Sequence, residues 1–281
     1  MLKQRVITAL ILLAIFLPAL FYPSFVPFAA ITLLFMAAGA WEWGRLNGLG
    51  GVASLTLGAL CLALCGLSWA GGWLQQPLPW LWALGGGAWV LGGAWLLRVG
   101  VAGWPRVPRL VRVVGGVLAR SLAWLAVAQA RVAGVNFLLS VLTLVWVADS
   151  CAYFAGRAFG LRFTKAKLAP SISPGKSWEG AWGGMAGVLV LAVAWVAADA
   201  HWQAGVPSLY TQLMRQGWWL LALGAVFMTA MSVVGDLVES LIKRSAGVKD
   251  SSGLLPGHGG VLDRIDALLP TLPLAMMLTH F

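Results

Sequence analysis

Apolar residues in this chain come in long blocks separated by short polar stretches, without the period-two alternation of a strand. Nine blocks stand out, at about 6–22, 26–43, 52–72, 79–98, 114–131, 135–156, 180–199, 217–240 and 264–281. Each is close to the ~20 residues an α-helix needs to cross the ~30 Å hydrocarbon layer. Only helices and closed barrels satisfy their backbone groups inside lipid, and barrel strands are short and alternating, so helices are predicted. The expected fold class is all-α: a polytopic transmembrane helical protein of about nine spans. The fifth block is interrupted by Arg120. The first follows Met-Leu-Lys-Gln-Arg, like the start of a signal peptide. It is long for a signal segment, no small-x-small cleavage site follows, and more spans come after. It is expected to be an uncleaved first span.

Composition agrees. Of 281 residues, 60% are hydrophobic and 10% charged, whereas a soluble domain carries roughly 25% charged residues. The formal charge of +10 would suggest nucleic acid in a soluble protein. Here the basic residues lie between apolar blocks, with no aromatic RNA-binding motif or zinc-finger spacing, so topology and anionic membrane lipid account for them and no nucleic acid is expected. With a cytoplasmic N-terminus and nine alternating spans, sixteen of the 19 Lys and Arg fall on the cytoplasmic side. The C-terminus then ends outside. Eight acids (Glu42, Asp149, Glu179, Asp236, Glu239, Asp250, Asp263 and Asp266) gather on the same side, and only Asp199 is outside. Acids contribute little to topology, so this grouping points to a cytoplasmic functional site. The three cysteines form no CxxC pair and read as small packing residues. The chain is expected to divide into N-terminal transmembrane helices (1–134) and a C-terminal transmembrane region (135–281) that carries the site, with cytoplasmic loops at 157–180 and 241–263.

Two polar stretches carry candidate chemistry. In the first, Asp149 lies in an apolar helix, where an unpaired charge is costly and should face a cavity, cation or metal. Downstream, Ser173-Pro-Gly-Lys176-Ser177-Trp-Glu179-Gly offers hydroxyls, a lysine and backbone N–H groups before a new helix. That is an anion-binding arrangement, although without Walker A glycine spacing. The second stretch is more specific. Asp236, Glu239, Ser240 and Lys243 recur at helical spacing and share a face; Asp263 and Asp266 share another at the start of the next block. Two antiparallel helices could set Asp236 opposite Asp263 and Asp266. Carboxylates with lysines and arginines suit a divalent cation plus polyphosphate, since Mg²⁺ takes one or two carboxylates and lets phosphates supply the rest. Lys243, Arg244, Lys249 and Arg264 are candidate phosphate contacts. His258-Gly259-Gly260 stands between the charged clusters, where a bare backbone could approach a nucleotide.

Here the sequence resembles the bacterial phosphatidate cytidylyltransferase (CDP-diglyceride synthase) family. The resemblance rests on Ser240, Lys243-Arg244, Lys249-Asp250, His258-Gly259-Gly260 and Asp263-Arg264-Ile265-Asp266. It extends to the Asp149-to-Gly180 stretch and to Trp41-Glu42-Trp43. It is specific over about 149–266 and rests elsewhere on hydropathy. It implies CTP and phosphatidate as substrates, CDP-diacylglycerol and pyrophosphate as products, and Mg²⁺ as cofactor, with room for a second cation and a homodimer. The expected catalytic set is Asp236, Lys243, Arg244, Lys249, Asp250, His258, Asp263, Arg264 and Asp266. Expected substrate contacts are Ser173, Lys176, Ser177, Glu179, Ser240, Gly259 and Gly260. The expected cation ligands are Asp236 and Asp263, supported by Asp266 and joined by Asp149. The expected place is the bacterial inner membrane, with the site facing the cytoplasm. Two other readings use the same residues: an ion-coupled transporter with Asp149 and Asp236 as its relay, and a CTP-dependent lipid kinase.

Overall fold

The computed structural model describes residues 2–279, mostly as helix. Among the described residues, eight helices are long and apolar enough to cross a membrane. They are α1 (Leu2–Phe21), α2 (Val26–Leu46), α3 (Gly51–Ala70), α4 (Pro79–Gly103), α5 (Arg109–Ala133), α6 (Val135–Phe159), α7 (Trp178–His201) and α9 (Trp218–Ser245). Between the last two lies the short α8 (Leu209–Gln216), and after them come α10 (Leu262–Ile265) and α11 (Leu268–Leu278).

The expected ninth span at 264–281 differs from what folds there. Its apolar stretch forms α11, 11 residues long, which at 1.5 Å per residue covers about half of the hydrocarbon layer. Residues Leu269 to Met276 are buried on every side, and α11 packs among α4, α5, α6 and α9. Its hydropathy comes from a protein interior rather than from lipid. His280 and Phe281, the end of that expected span, lie outside the described residues. Arg120 does not break the fifth span: α5 is continuous over 25 residues. Its guanidinium donates to the Gly116 carbonyl (2.6 Å) and lies 4.3 Å over the Trp43 ring.

Close approach of small residues holds the bundle, as expected where lipid competes for apolar contact. On α7, Gly180 and Gly184 sit so near the Ala152 and Ala148 carbonyls of α6 that a Cβ would come within 2.9 Å of each. On the end away from the polar loops, buried polar side chains tie chain turns together. Arg131 donates to the Leu20 carbonyl (2.8 Å) and to that of Tyr22 (2.5 Å). Asp199 accepts from Asn136 (2.8 Å), Ser208 and Thr211.

The loop after α6 departs from an all-helical picture. It folds into a small antiparallel hairpin, β1 (Lys167–Ala169) with β2 (Ser173–Ser177), in the register Lys167↔Ser177. Ser177 ends the hairpin and caps α7, its hydroxyl accepting from the Gly180 N–H (3.1 Å). On this side of the bundle Trp43, Trp104, Ile172, Leu237, Leu241 and Leu262 form a second apolar cluster beneath the polar loops.

Candidate active site

Four pieces of chain meet at that end: the last three turns of α9, the loop from Ala246 to Val261 running into α10, the β-hairpin, and the end of α2. Helical spacing places Asp236, Glu239, Ser240 and Lys243 along one strip of α9. Ser240 donates to Asp236 (3.2 Å), and Lys243 pairs with Glu239 (2.8 Å). Lys243 also reaches across to Asp263 of α10 (2.6 Å). The second Asp263 oxygen accepts from the Ser251 N–H (2.9 Å), the Ser251 hydroxyl (3.0 Å) and the Gly260 N–H (2.7 Å). Burial opposes ionisation of Asp263. The Lys243 ammonium and the two backbone donors outweigh it and hold the carboxyl below its ordinary value.

Asp263 is thus a tie between α9, the loop and α10, with both oxygens engaged. The other acid expected to ligate a cation, Asp236, makes none of these bonds. Asp236 instead shares its surroundings with Asp266, whose carboxyl is pushed up to about 7 by burial and then by the Asp236 charge. Asp236 is also bonded to Lys176 of β2 (2.5 Å). That ion pair joins the two polar stretches, which lie 60 positions apart in sequence. Asp149 lies on α6, which packs against α7 and α9.

The most buried acid here is Glu42, at the end of α2 and 0% exposed. It accepts from the Ser251 hydroxyl (3.0 Å), the Ser252 hydroxyl, the Val261 N–H (2.9 Å) and the Leu262 N–H (2.8 Å). One carboxylate therefore ties the middle of the loop to its junction with α10. Glu42, Ser251 and Ser252 are absent from the sequence-based site. A signal for Glu42 was present, an acid inside an apolar block, but its partners lie more than 200 positions away.

Gly259 and Gly260 leave room that a side chain would fill. Gly259 holds φ +84°, and a Cβ there would lie 2.6 Å from the Asp263 carboxylate. A Cβ on Gly260 would lie 2.0 Å from the Ser251 hydroxyl and 2.5 Å from Glu42. Both glycines let the loop close on buried carboxylates. Arg264 completes the closure by donating to the His258 carbonyl through Nε (3.1 Å) and Nη2 (2.8 Å). The Nδ1 of His258 is buried without a partner.

The remaining expected residues divide. Arg244, Lys249 and Asp250 are exposed at the mouth. Ser173 opens β2 opposite Ala169. Ser177 is spent as a helix cap, and Glu179 turns back to the Phe163 N–H (3.0 Å) and the Thr164 N–H (2.7 Å), leaving its second oxygen buried and unpartnered. Among the described residues no three His, Cys, Asp or Glu side chains form a ready metal cage. Two neighbouring carboxylates without a third fit a cation that arrives with polyphosphate ligands of its own.

The fold and site define a polytopic membrane protein with a one-sided centre of carboxylates, lysines and arginines suited to phosphate groups and a hard cation. Residues 3–281 match the model of the cytidylyltransferase family, and the chain belongs to that family. It is similar to the phosphatidate cytidylyltransferase of Pseudomonas aeruginosa, 42% identical over 97% of this chain and 95% of that one. The enzyme of the same name from Haemophilus influenzae is 38% identical, with 97% and 96% covered. That of Staphylococcus epidermidis is 39% identical over 53% of this chain and 51% of its own.

Proposed function

We propose that this protein is a phosphatidate cytidylyltransferase, which joins CTP and phosphatidate into CDP-diacylglycerol and releases pyrophosphate. The observation that carries the reading is the Lys176–Asp236 pair, which brings both polar stretches to one acid and lysine cluster at the membrane surface. A lipid phosphate oxygen attacks the α-phosphorus of CTP. A new P–O bond forms there, the bond to the bridging oxygen of the β-phosphate breaks, and pyrophosphate departs with the electron pair. The attacking oxygen belongs to the substrate and is already ionised, so no protein nucleophile or strong base is required.

The chain's contribution is placement and charge. Exposed Arg244 and Lys249 meet the triphosphate at the mouth. Lys176 exchanges Asp236 for a phosphate oxygen and draws the hairpin over the nucleotide. Lys243, between Glu239 and Asp263, keeps α9 and α10 in register rather than leaving for substrate. Asp236 and Asp266 would hold Mg²⁺, which would supply neutralisation of the leaving pyrophosphate. The protein lies in the bacterial inner membrane with this centre toward the cytoplasm, supported by the basic residues gathered on that side.

The test is release of labelled pyrophosphate from γ-labelled CTP by the purified protein, with phosphatidate and Mg²⁺ added or withheld. Release that needs both, with cytidine entering the lipid phase, is expected. Label entering the lipid instead identifies a kinase and overturns the reading.

A further inference from the structure

Threonines in the long helices mostly bond within their own helix. Thr32, Thr56, Thr143, Thr229 and Thr271 each donate to the carbonyl four residues back, the local outlet for a hydroxyl on a helix. Thr8 on α1 does not. Its hydroxyl donates to the Pro256 carbonyl (2.9 Å), 248 positions away in the loop between α9 and α10. Thr8 is only 8% exposed.

The rest of α1 is loosely held. It packs chiefly on α2, where Phe16 meets Phe28 and Phe35. Val6, Ile7, Leu10, Ile11 and Leu13 are 49–60% exposed, an outer surface for lipid. A groove of about 300 Å³ runs between Gln4, Ile7 and Ile11 of α1 and Leu255 and Pro256 of the loop. Thr8 bridges that groove. Gly257 makes a second join: it holds φ +76°, and a Cβ there would lie 2.9 Å from Arg5 Cγ and 3.2 Å from the Arg5 nitrogen. The loop reaches α1 at this point because the residue has no side chain.

These contacts grip a tight turn. The Leu255 N–H donates to the Gly259 carbonyl (2.8 Å), and the His258 N–H donates to that of Leu255 (2.8 Å). Glu42 takes its bonds from Ser251, Ser252, Val261 and Leu262, on either side of the turn. Arg264 holds the turn from within, through the His258 carbonyl. Thr8 and Arg5 hold it from outside. A hydroxyl that forgoes its own helix, beside a glycine that fits only by being bare, gives this end of α1 a task beyond spanning the membrane.

We propose that Thr8 is a positioning residue for the reaction: with Gly257 seated on Arg5, it fixes the turn from Leu255 to Gly259, and through it His258 and Arg264, against α1. This rests on the reading above and extends its machinery to the first span.

Thr8→Val removes the hydroxyl and keeps the shape, whereas Thr8→Ser keeps the hydroxyl. Amide hydrogen exchange, read by mass spectrometry on the full chain in nanodiscs, gives the first test. In Thr8→Val the amides of Leu255 and His258 should exchange several-fold faster, while those of Val261 and Leu262, held by Glu42, keep the wild-type rate. At saturating CTP and phosphatidate, kcat should fall about fivefold, the weight of one hydrogen bond on a rate. The KM for CTP should hold, since Lys176, Arg244 and Lys249 lie outside the turn. Thr8→Ser should restore both readouts. Thr56→Val, which loses a hydroxyl bonded to Val52 of its own helix, is the control and should match wild type. Gly257→Ala should reproduce Thr8→Val, and the double variant should be no slower than the slower single, because both break one contact.

Wild-type kcat in Thr8→Val, or unchanged exchange in the turn, overturns the proposal. So does a loss that Thr8→Ser fails to recover, which would assign the effect to packing. If the wild type turns over no CTP, the reading above fails, while the exchange comparison still decides whether Thr8 fixes the turn.

Discussion

At the scale of single residues, buried carboxylates decide the shape of the site. Glu42 faces four donors at the loop between α9 and α10, and Glu42→Gln turns one accepting oxygen into a donor against them. A bond to a charged group is worth about 1.5–3 kcal/mol, so the variant should lose about that much stability. Its turnover should fall at least about tenfold while it still binds CTP, checked by thermal unfolding in detergent together with kcat and KM. Unchanged kcat in a folded variant would remove Glu42 from any positioning role.

Gly260→Ala sets a methyl against Ser251 and Glu42 and should abolish activity. Gly253→Ala, in the same loop with nothing within 4 Å, should be neutral in the same assay. Asp263 gives a pH signature. Its folded pKa lies below the unfolded value of 3.8, so its contribution to stability is complete above that value and disappears as pH falls through the folded one. The unfolding-temperature gap between wild type and Asp263→Asn should be flat from pH 8 to pH 5 and narrow below about pH 4. A gap that widens in acid would contradict the network.

At the scale of elements, the hairpin and α9 depend on each other through one ion pair. Lys176 and Asp236 keep 25% and 30% side-chain exposure, so solvent screens the pair and it contributes little to folding. Lys176→Met should change stability by less than about 1 kcal/mol. Turnover should nevertheless fall by more than about tenfold, because the hairpin loses its hold on the nucleotide. Steady-state kinetics and thermal unfolding on the same preparation separate the two effects. The hairpin was hidden in the sequence because five residues around Pro174 and Gly175 carry no strand alternation. The α9 strip was legible because its chemistry repeats at three and four positions.

At the scale of the whole molecule, α1 and the loop between α9 and α10 share one side. Thr8 donates to the Pro256 carbonyl (2.9 Å), and Gly257 packs on Arg5. With eight spans between them, the start of α1 and the end of α9 must lie together. Single cysteines at Val248 and Trp202, in a protein whose three native cysteines have been replaced, should react with an impermeant maleimide from opposite faces of oriented vesicles. Reaction of both from the same face would break the eight-span topology.

The sequence by itself determined the solvent, the helical class and the two polar stretches that the fold brings together. Each of these follows from local quantities: run length, composition and spacing along one helix. The tertiary structure decided what depends on distant partners. It made the last apolar block a buried half-length helix, since hydropathy cannot distinguish lipid from a protein interior. It engaged both oxygens of Asp263, because Lys243, Ser251 and Gly260 reach that carboxylate from three directions. It brought Glu42 to a loop more than 200 residues away. A carboxylate's role depends on which donors reach it, and that is fixed only when the helices pack.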